Sequence, residues 1–451
     1  MEKEKKSLSI VKKMIIAVAA GFAVGFLCLF LKTRLINTGS GSTWEFINRL
    51  LFQDITKDEG INSIGIFYII GQLFMQALQL GIVPLVLVSI SLSIGEFAKP
   101  GKLGKIATKT LLCFVVFYIV GATLSGGISY FVKSRGFFDV NLPEMATDGV
   151  TTMESYNPLT VLLNAVPSNI TEAFSSNNSI LAVVVVGIII GLCMNEMQDK
   201  TRTLKEVLKS VDEIIHMYLN FLINKICPLA IFCMISRTFA IYGVEYLKPV
   251  TAFVVTGIFI GMFLVFTIYP IGIYLTTRLN PFIFIKKVLK IGLFAAATNS
   301  SAATLPLNMK TCQEELGCSE ELTSFILPLG MTINMNGTTA MHMLAIIFIT
   351  TAAGIDISPS QLVLTALLSI AMAMGCPAVP VAGTTMVFAV LSGLGMLNDV
   401  TMVGYALVMA MNYPVGMSVI TMNVVGDAAT NVIICHKEGE LDQAVYYQSV
   451  R

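Results

Sequence analysis

Long uncharged stretches separated by short charged clusters run the length of this chain. Met14–Leu31, Gly60–Gly95, Thr110–Val132, Ala173–Asn195, Pro249–Thr277, Leu322–Ile355 and Val400–Gly426 contain no Asp, Glu, Lys or Arg. A further apolar segment, Met217–Ile235, is interrupted only by Lys225. About 20 apolar residues in helix cross a bilayer core. The pattern therefore predicts an all-α polytopic membrane protein with eight transmembrane helices. Met14–Leu31 follows a basic start, as a signal peptide would, but its apolar run is too long and no A-x-A site follows.

Two more apolar stretches do not read as simple crossings. Ile291–Met309 is long enough, yet its middle is Thr298-Asn299-Ser300-Ser301, followed by Pro306. Ile357–Asn398 is uncharged for 42 residues and contains GCPAVPVAG at Gly375–Gly383. Such interruptions at membrane depth are tolerated where protein or a watery cavity satisfies the freed backbone groups. Both stretches are expected to be re-entrant helical hairpins whose tips meet inside the protein, a pattern that marks the central site of secondary transporters. A Ser/Pro kink in an ordinary buried helix is the plainer alternative.

The charge clusters orient the chain. Lys99, Lys102, Lys105 and Lys109 follow the second span, Lys200, Arg202, Lys205 and Lys209 the fourth, and Arg278, Lys286, Lys287 and Lys290 the sixth. The segment after the third span instead carries Asp139, Glu144, Asp148, Glu154 and Glu172 against Lys133 and Arg135. Basic loops favour the cytoplasmic side. Both termini are expected inside, in a multi-pass protein of the bacterial plasma membrane.

Composition narrows the class. Of 451 residues, 55% are hydrophobic and 13% charged, with a mean hydropathy of +0.78; a soluble domain carries about 25% charge. The net charge of +1 excludes an overall basic nucleic-acid binder. Nine scattered cysteines without a CxxC read as apolar filler rather than a disulfide framework. No GxxxxGK[ST], HExxH or GxSxG occurs, so the chain reads as neither a P-loop ATPase nor a hydrolase, and not as an enzyme.

Candidate chemistry concentrates between the two interrupted stretches. Gly330-Met331-Thr332-Ile333-Asn334-Met335-Asn336-Gly337-Thr338-Thr339 places two Asn, two Gly and three Thr in an otherwise apolar helix. That density predicts local unwinding with carbonyls turned inward, a source of oxygens for a hard cation such as sodium. Asp427, in NVVGDAATN, falls in the last span. A carboxylate there costs at least ~3 kcal/mol on insertion scales and needs a partner or an ion. A purely structural hydrogen-bonded carboxylate is the alternative. Lys225 reads as a snorkelling side chain, with balancing an anion as the alternative, and His342 as a neutral, hydrogen-bonded histidine, with proton carriage as the alternative.

The order NSSAATLPLNM, LPLGMTINMNGTT, AVPVAGTTM and NVVGDAATNV resembles the dicarboxylate/amino acid:cation symporter family, which includes glutamate transporters. The resemblance covers nearly the whole chain, including KPGKLGK and PLAIF at Pro228–Phe232. It implies a homotrimeric scaffold in membrane lipid, holding transport domains that carry substrate by an elevator movement. On this division 1–105 and 135–247 hold the scaffold spans, and 106–134 is the third span. The remainder of the transport domain is 248–436, followed by a cytoplasmic tail at 437–451.

By position, the resemblance implies one sodium site from the carbonyls of Gly330, Asn334 and Asn423 with the carboxylate of Asp427. It implies a second from Thr332 with the carbonyls of Ala373, Met374 and Cys376. A third family site loses its Asp to Asn336, and its partners on the third span become Phe114, Phe117 and Tyr118. Coupling to about two sodium ions is expected, because a cation site stripped of its oxygens is severely weakened.

The carboxylate end of the substrate pocket is implied by Asn423, by Ser300 and Ser301 on the inner tip, and by the amides of Val379, Ala382 and Gly383 on the outer tip. Thr338 and Asn299 are the polar selectivity candidates. Where amino-acid transporters of the family carry an Asp, an Arg and a Thr, this chain has Gly416, Val419 and Ile420. A small carboxylate with an uncharged or apolar remainder is therefore expected, rather than glutamate or aspartate. Dicarboxylates stay open through Asn299, and a proton-coupled symporter or a channel-like or sensory descendant of the fold are the rival readings.

Overall fold

The computed structural model describes residues 10–56, 58–95, 102–139, 166–175, 179–243, 247–376 and 382–448. Among them the regular structure is helical, apart from one antiparallel bridge between Cys318 and Leu441. The first half contributes α1 (Ile10–Asn37), α2 (Gly41–Leu51), α3 (Ile66–Leu80), α4 (Ile82–Gly95), α5 (Lys102–Ser134), α6 (Ile170–Ser175), α7 (Ile180–Met197), α8 (Arg202–Phe221) and α9 (Cys227–Tyr242). The second half opens with α10 (Leu247–Phe263), α11 (Tyr269–Thr277), α12 (Pro281–Thr298), α13 (Ser301–Glu314), α14 (Glu320–Ile333) and α15 (Asn336–Ala352). It closes with α16 (Pro359–Met374), α17 (Ala382–Gly393), α18 (Asp399–Ala410), α19 (Asn412–Glu438) and α20 (Gln443–Tyr447).

Among the described residues, five helical stretches are long and apolar enough to cross a membrane: Ala19–Asn37, Lys105–Ser134, Asn224–Ile241, Lys248–Thr277 and Pro414–Glu438. They stand where hydropathy predicts the first, third, fifth, sixth and eighth spans. The other three are shorter or divided. Gly60–Gly95 breaks at Gly81 between α3 and α4, α7 has 18 residues, and Leu322–Ile355 parts at Asn334–Met335. The last span is also displaced. Val400–Gly426 straddles α18 and α19, which meet at Met411, and the long helix continues to Glu438. Its later turns carry Asp427, Asn431 and His436, whose polarity hides them from a hydropathy window.

Two of the long stretches contain a widened π-turn. Leu222–Ile226 links α8 to α9, and Leu264–Ile268 links α10 to α11. Pro228 and Pro270 follow directly. A proline ring collides with the carbonyl four residues earlier, here Asn224 and Phe266, and the π-turn absorbs that collision. Lys225 lies exposed on the first of these turns.

The helices pack in two groups. In one, α1 lies along α9, α3 also packs on α9, and α4 packs on α7 and α8. Small residues set the approach of α1: a Cβ at Gly25 would stand 2.8 Å from the Cβ of Phe239, and one at Gly21 2.9 Å from that of Ile235. In the other group α19 is the axis, contacted by α10 to α15, while α5 lies along α15 and the α16–α17 pair packs on it. Leu112, Val116 and Ile119 on α5 and Val255, Phe259 and Met262 on α10 remain exposed at one-turn spacing, as a lipid-facing stripe does. The α15 helix is buried along almost its whole length.

Candidate functional site

The centre of the second group is the cut between α14 and α15. Asn334 (φ −89°, ψ 71°) and Met335 (φ −99°, ψ 46°) leave the helix, in agreement with the unwinding that the Asn/Gly/Thr density predicts. Met335 N–H turns back to the Ile333 carbonyl at 3.1 Å. The hydroxyl of fully buried Tyr118, from α5, bridges the same two groups: it donates to the Ile333 carbonyl and accepts from Met335 N at 2.7 Å. Sequence reasoning missed this role, because it weighed Tyr118 only as a replacement for a cation ligand. Phe117 packs edge-on against Tyr269, with ring centres 5.1 Å apart.

Three of the four residues of the first expected ligand set come together at this cut. Asn334 Nδ2 donates to Asp427 Oδ1 at 2.8 Å, and Asp427 is only 3% exposed. Gly330 lies directly against the carboxylate, where a Cβ would stand 2.4 Å from Oδ1. Asn334 Oδ1 is buried without a hydrogen-bond partner. Asn423, one turn earlier on α19, accepts from Gly337 N at 2.8 Å and points Nδ2 at the Met335 sulfur, 3.2 Å away. One carboxylate, an unpartnered amide oxygen and backbone carbonyls are donors suited to a hard cation. Both amide atoms of Asn336 are buried without partners beside them.

The second expected set is brought together less completely. Ala373 and Met374 end α16 and pack in one cluster with Tyr118, Ile333 and Met335, so this helix end reaches the same cut. The Ala373 carbonyl accepts from Cys376 N at 3.1 Å. Thr332 is exposed, and its hydroxyl donates back to the Leu329 carbonyl at 2.9 Å.

The first interrupted stretch is a pair of packed helices, α12 and α13, joined at Asn299-Ser300. It begins at Pro281, ten residues before the apolar run suggests, because Lys286, Lys287 and Lys290 belong to α12. Pro306 lies within α13 rather than at the turn. Asn299 takes the left-handed conformation (φ 49°, ψ 37°), and extended Ser300 caps α13 by accepting from Ala303 N at 3.3 Å. Ser301 is buried with its hydroxyl unpartnered.

Both interrupted stretches reach the start of α19. Asn299 lies beside Gly416, where a Cβ would stand 3.3 Å from either amide atom and 3.7 Å from Asn412 Oδ1. Thr384, in the first turn of α17, donates to Asn412 Oδ1. Gly383 packs against Thr338, its would-be Cβ 2.9 Å from Thr338 Cγ2, and its carbonyl meets His342 Nε2 at 2.7 Å. Ala382 opens α17, while Val379 lies outside the described residues. The N-termini of α13, α15 and α17 thus border one uncharged polar region, and helix N-termini favour anions. Val419 and Ile420 place apolar side chains on the neighbouring turn of α19.

The profile of the Sodium:dicarboxylate symporter family matches residues 10–437. The Proton/sodium-glutamate symport protein of Bacillus caldotenax is 25% identical over 382 residues, covering 83% of this chain and 88% of that protein. The C4-dicarboxylate transport protein of Cupriavidus pinatubonensis is 24% identical over 380 residues, covering 83% and 86%. Excitatory amino acid transporter 1 of Rattus norvegicus is 30% identical over 297 residues, 61% of this chain and 53% of that protein. The profile match takes in both helix groups, the cut at Asn334–Met335 and Asp427, and the chain belongs to the sodium:dicarboxylate symporter family.

Proposed function

We propose that this protein is a secondary active symporter that moves a small carboxylate-bearing solute with about two sodium ions. The observation that carries the reading is the meeting of Asp427, Asn334 and the Gly330 backbone at a broken helix, one turn from Asn423. Gly330, Asn334, Asn423 and Asp427 are assigned to one sodium ion. Thr332, Ala373, Met374 and Cys376 are assigned to a second, for which Thr332 must turn its hydroxyl away from Leu329. Asn299, Ser300, Ser301, Thr338, Asn423 and the amides of 379–383 are assigned to the solute.

The relatives' names speak of glutamate and C4-dicarboxylates. In this chain the polar groups beside Gly416 are carboxamides and a hydroxyl, so a charged amine or second carboxylate would meet no counter-charge and would keep its full desolvation cost. A monocarboxylate with an uncharged remainder fits better. The packing of α1–α4 and α7–α9 chiefly on one another, touched from the α19-centred group through α17 and α18, supports a scaffold and a moving domain, with elevator transport in a trimer. The α12–α13 and α16–α17 pairs serve as the re-entrant hairpins, completing eight spans with both termini cytoplasmic in a bacterial plasma membrane.

Purified protein in liposomes should accumulate a labelled monocarboxylate under a sodium gradient and exchange it in counterflow. Micromolar accumulation of aspartate would overturn the substrate reading. Uptake driven by a pH gradient without sodium would replace sodium by protons, and absence of trans-stimulation would point to a channel.

A further inference from the structure

Lys287 is a lysine buried to 2% exposure in α12, and its three ammonium protons go to three backbone carbonyls. Nζ donates to Glu315 O at 2.6 Å, Val445 O at 3.0 Å and Tyr446 O at 2.7 Å. Glu315 caps the C-terminus of α13, and Val445 and Tyr446 belong to the last turn of α20. The cation therefore sits at the negative ends of two helices. The Glu315 carboxylate is engaged elsewhere, with Lys290.

The segment that carries α20 is tied to the same place by other bonds. Ser319 N and Oγ donate to Glu440 O (3.1 Å) and Oε2 (2.7 Å), Asp442 N to Gly317 O (2.7 Å), and the Tyr446 hydroxyl to Asn280 O (3.0 Å). The helix pair α12–α13 is thus joined at both ends, by the Asn299-Ser300 turn and by Lys287 at its base. Between them, Thr421 Oγ1 donates to Gly292 O at 3.1 Å and fixes α12 along α19. Stability alone is a poor reason for the lysine, since an apolar residue of similar volume often serves a buried site as well or better.

We propose that Lys287 is a positioning residue for transport. Through Glu315 and the strap of residues 440–446 it sets the tilt of α12–α13 and so holds Asn299 and Ser301 against α19. This rests on the solute site proposed above.

The test uses the full chain in lipid nanodiscs and liposomes, as wild type, Lys287→Met, Gly317→Ala and the double variant. Gly317 has φ +74°, and a Cβ there would stand 2.2 Å from Asp442 O, so alanine pries off the strap without touching the lysine. Hydrogen–deuterium exchange of the 298–304 amides should rise at least tenfold in either single variant, with α1 and α9 unchanged and no further rise in the double. Uptake is followed with whichever of labelled pyruvate, succinate or L-glutamate the wild type accumulates fastest. Its KM should rise about tenfold in both single variants, with the maximal rate within twofold. Unchanged exchange at 298–304, additive effects, or a lower melting temperature with KM within twofold would each overturn the positioning role. A wild type that accumulates none of the three sinks the solute site instead, while the exchange arm still decides whether Lys287 holds the turn.

Discussion

Asp427 receives one amide hydrogen from Asn334 and lies against a glycine with no room for a methyl group. Two substitutions separate charge from space. Asp427→Asn should raise the half-saturating sodium concentration for uptake at least tenfold, because a hard cation loses its only carboxylate. Gly330→Ala should do the same with the charge intact, since its methyl would meet Oδ1 at 2.4 Å. Sodium titration of uptake checks both, and an unchanged midpoint in either would remove Asp427 from the coupling site. Tyr118→Phe acts differently. It withdraws the hydroxyl that bridges Ile333 and Met335, two buried hydrogen bonds worth about 1 kcal/mol each. A lower unfolding temperature, with uptake retained at low temperature, is the expected result.

At the level of elements, glycine contacts govern how closely helices meet. Gly25→Leu would drive a side chain into Phe239 and separate α1 from α9, at a cost of about 1–3 kcal/mol. Thermal unfolding in detergent measures it. The break at Asn334–Met335 was legible because Asn, Gly and Thr crowd an apolar run, and the Asn299-Ser300 turn because polar residues interrupt another. The base of that second pair was not. Lys286, Lys287 and Lys290 read as a basic cytoplasmic loop, and only the folded chain shows Lys287 pointing inward to three carbonyls. The division at Met411 was hidden for the opposite reason: Asn412 and Pro414 open α19 without any charge, so a hydropathy run from Val400 to Gly426 reads as one helix. Tyr118 belongs to the same class, since its value depends on which helix lies opposite.

For the whole molecule, the proposed coupling ratio rests on Asn336, whose amide is buried and unpartnered. Reversal potentials in liposomes at several sodium gradients should give about two sodium ions per carboxylate, and a ratio of three would overturn the loss of the third site. Lys287 and Asp427 are, among the described residues, the two formally charged side chains that are buried, and they have opposite sign. Within the α19-centred group these two buried charges cancel. On the elevator reading proposed above, the membrane voltage then meets no net buried charge on the carrier itself. With the proposed two sodium ions and one monocarboxylate, the loaded step would be electrogenic and the empty return would not. Transient currents after a voltage jump should therefore need sodium, and hyperpolarisation should speed entry without hastening the reset.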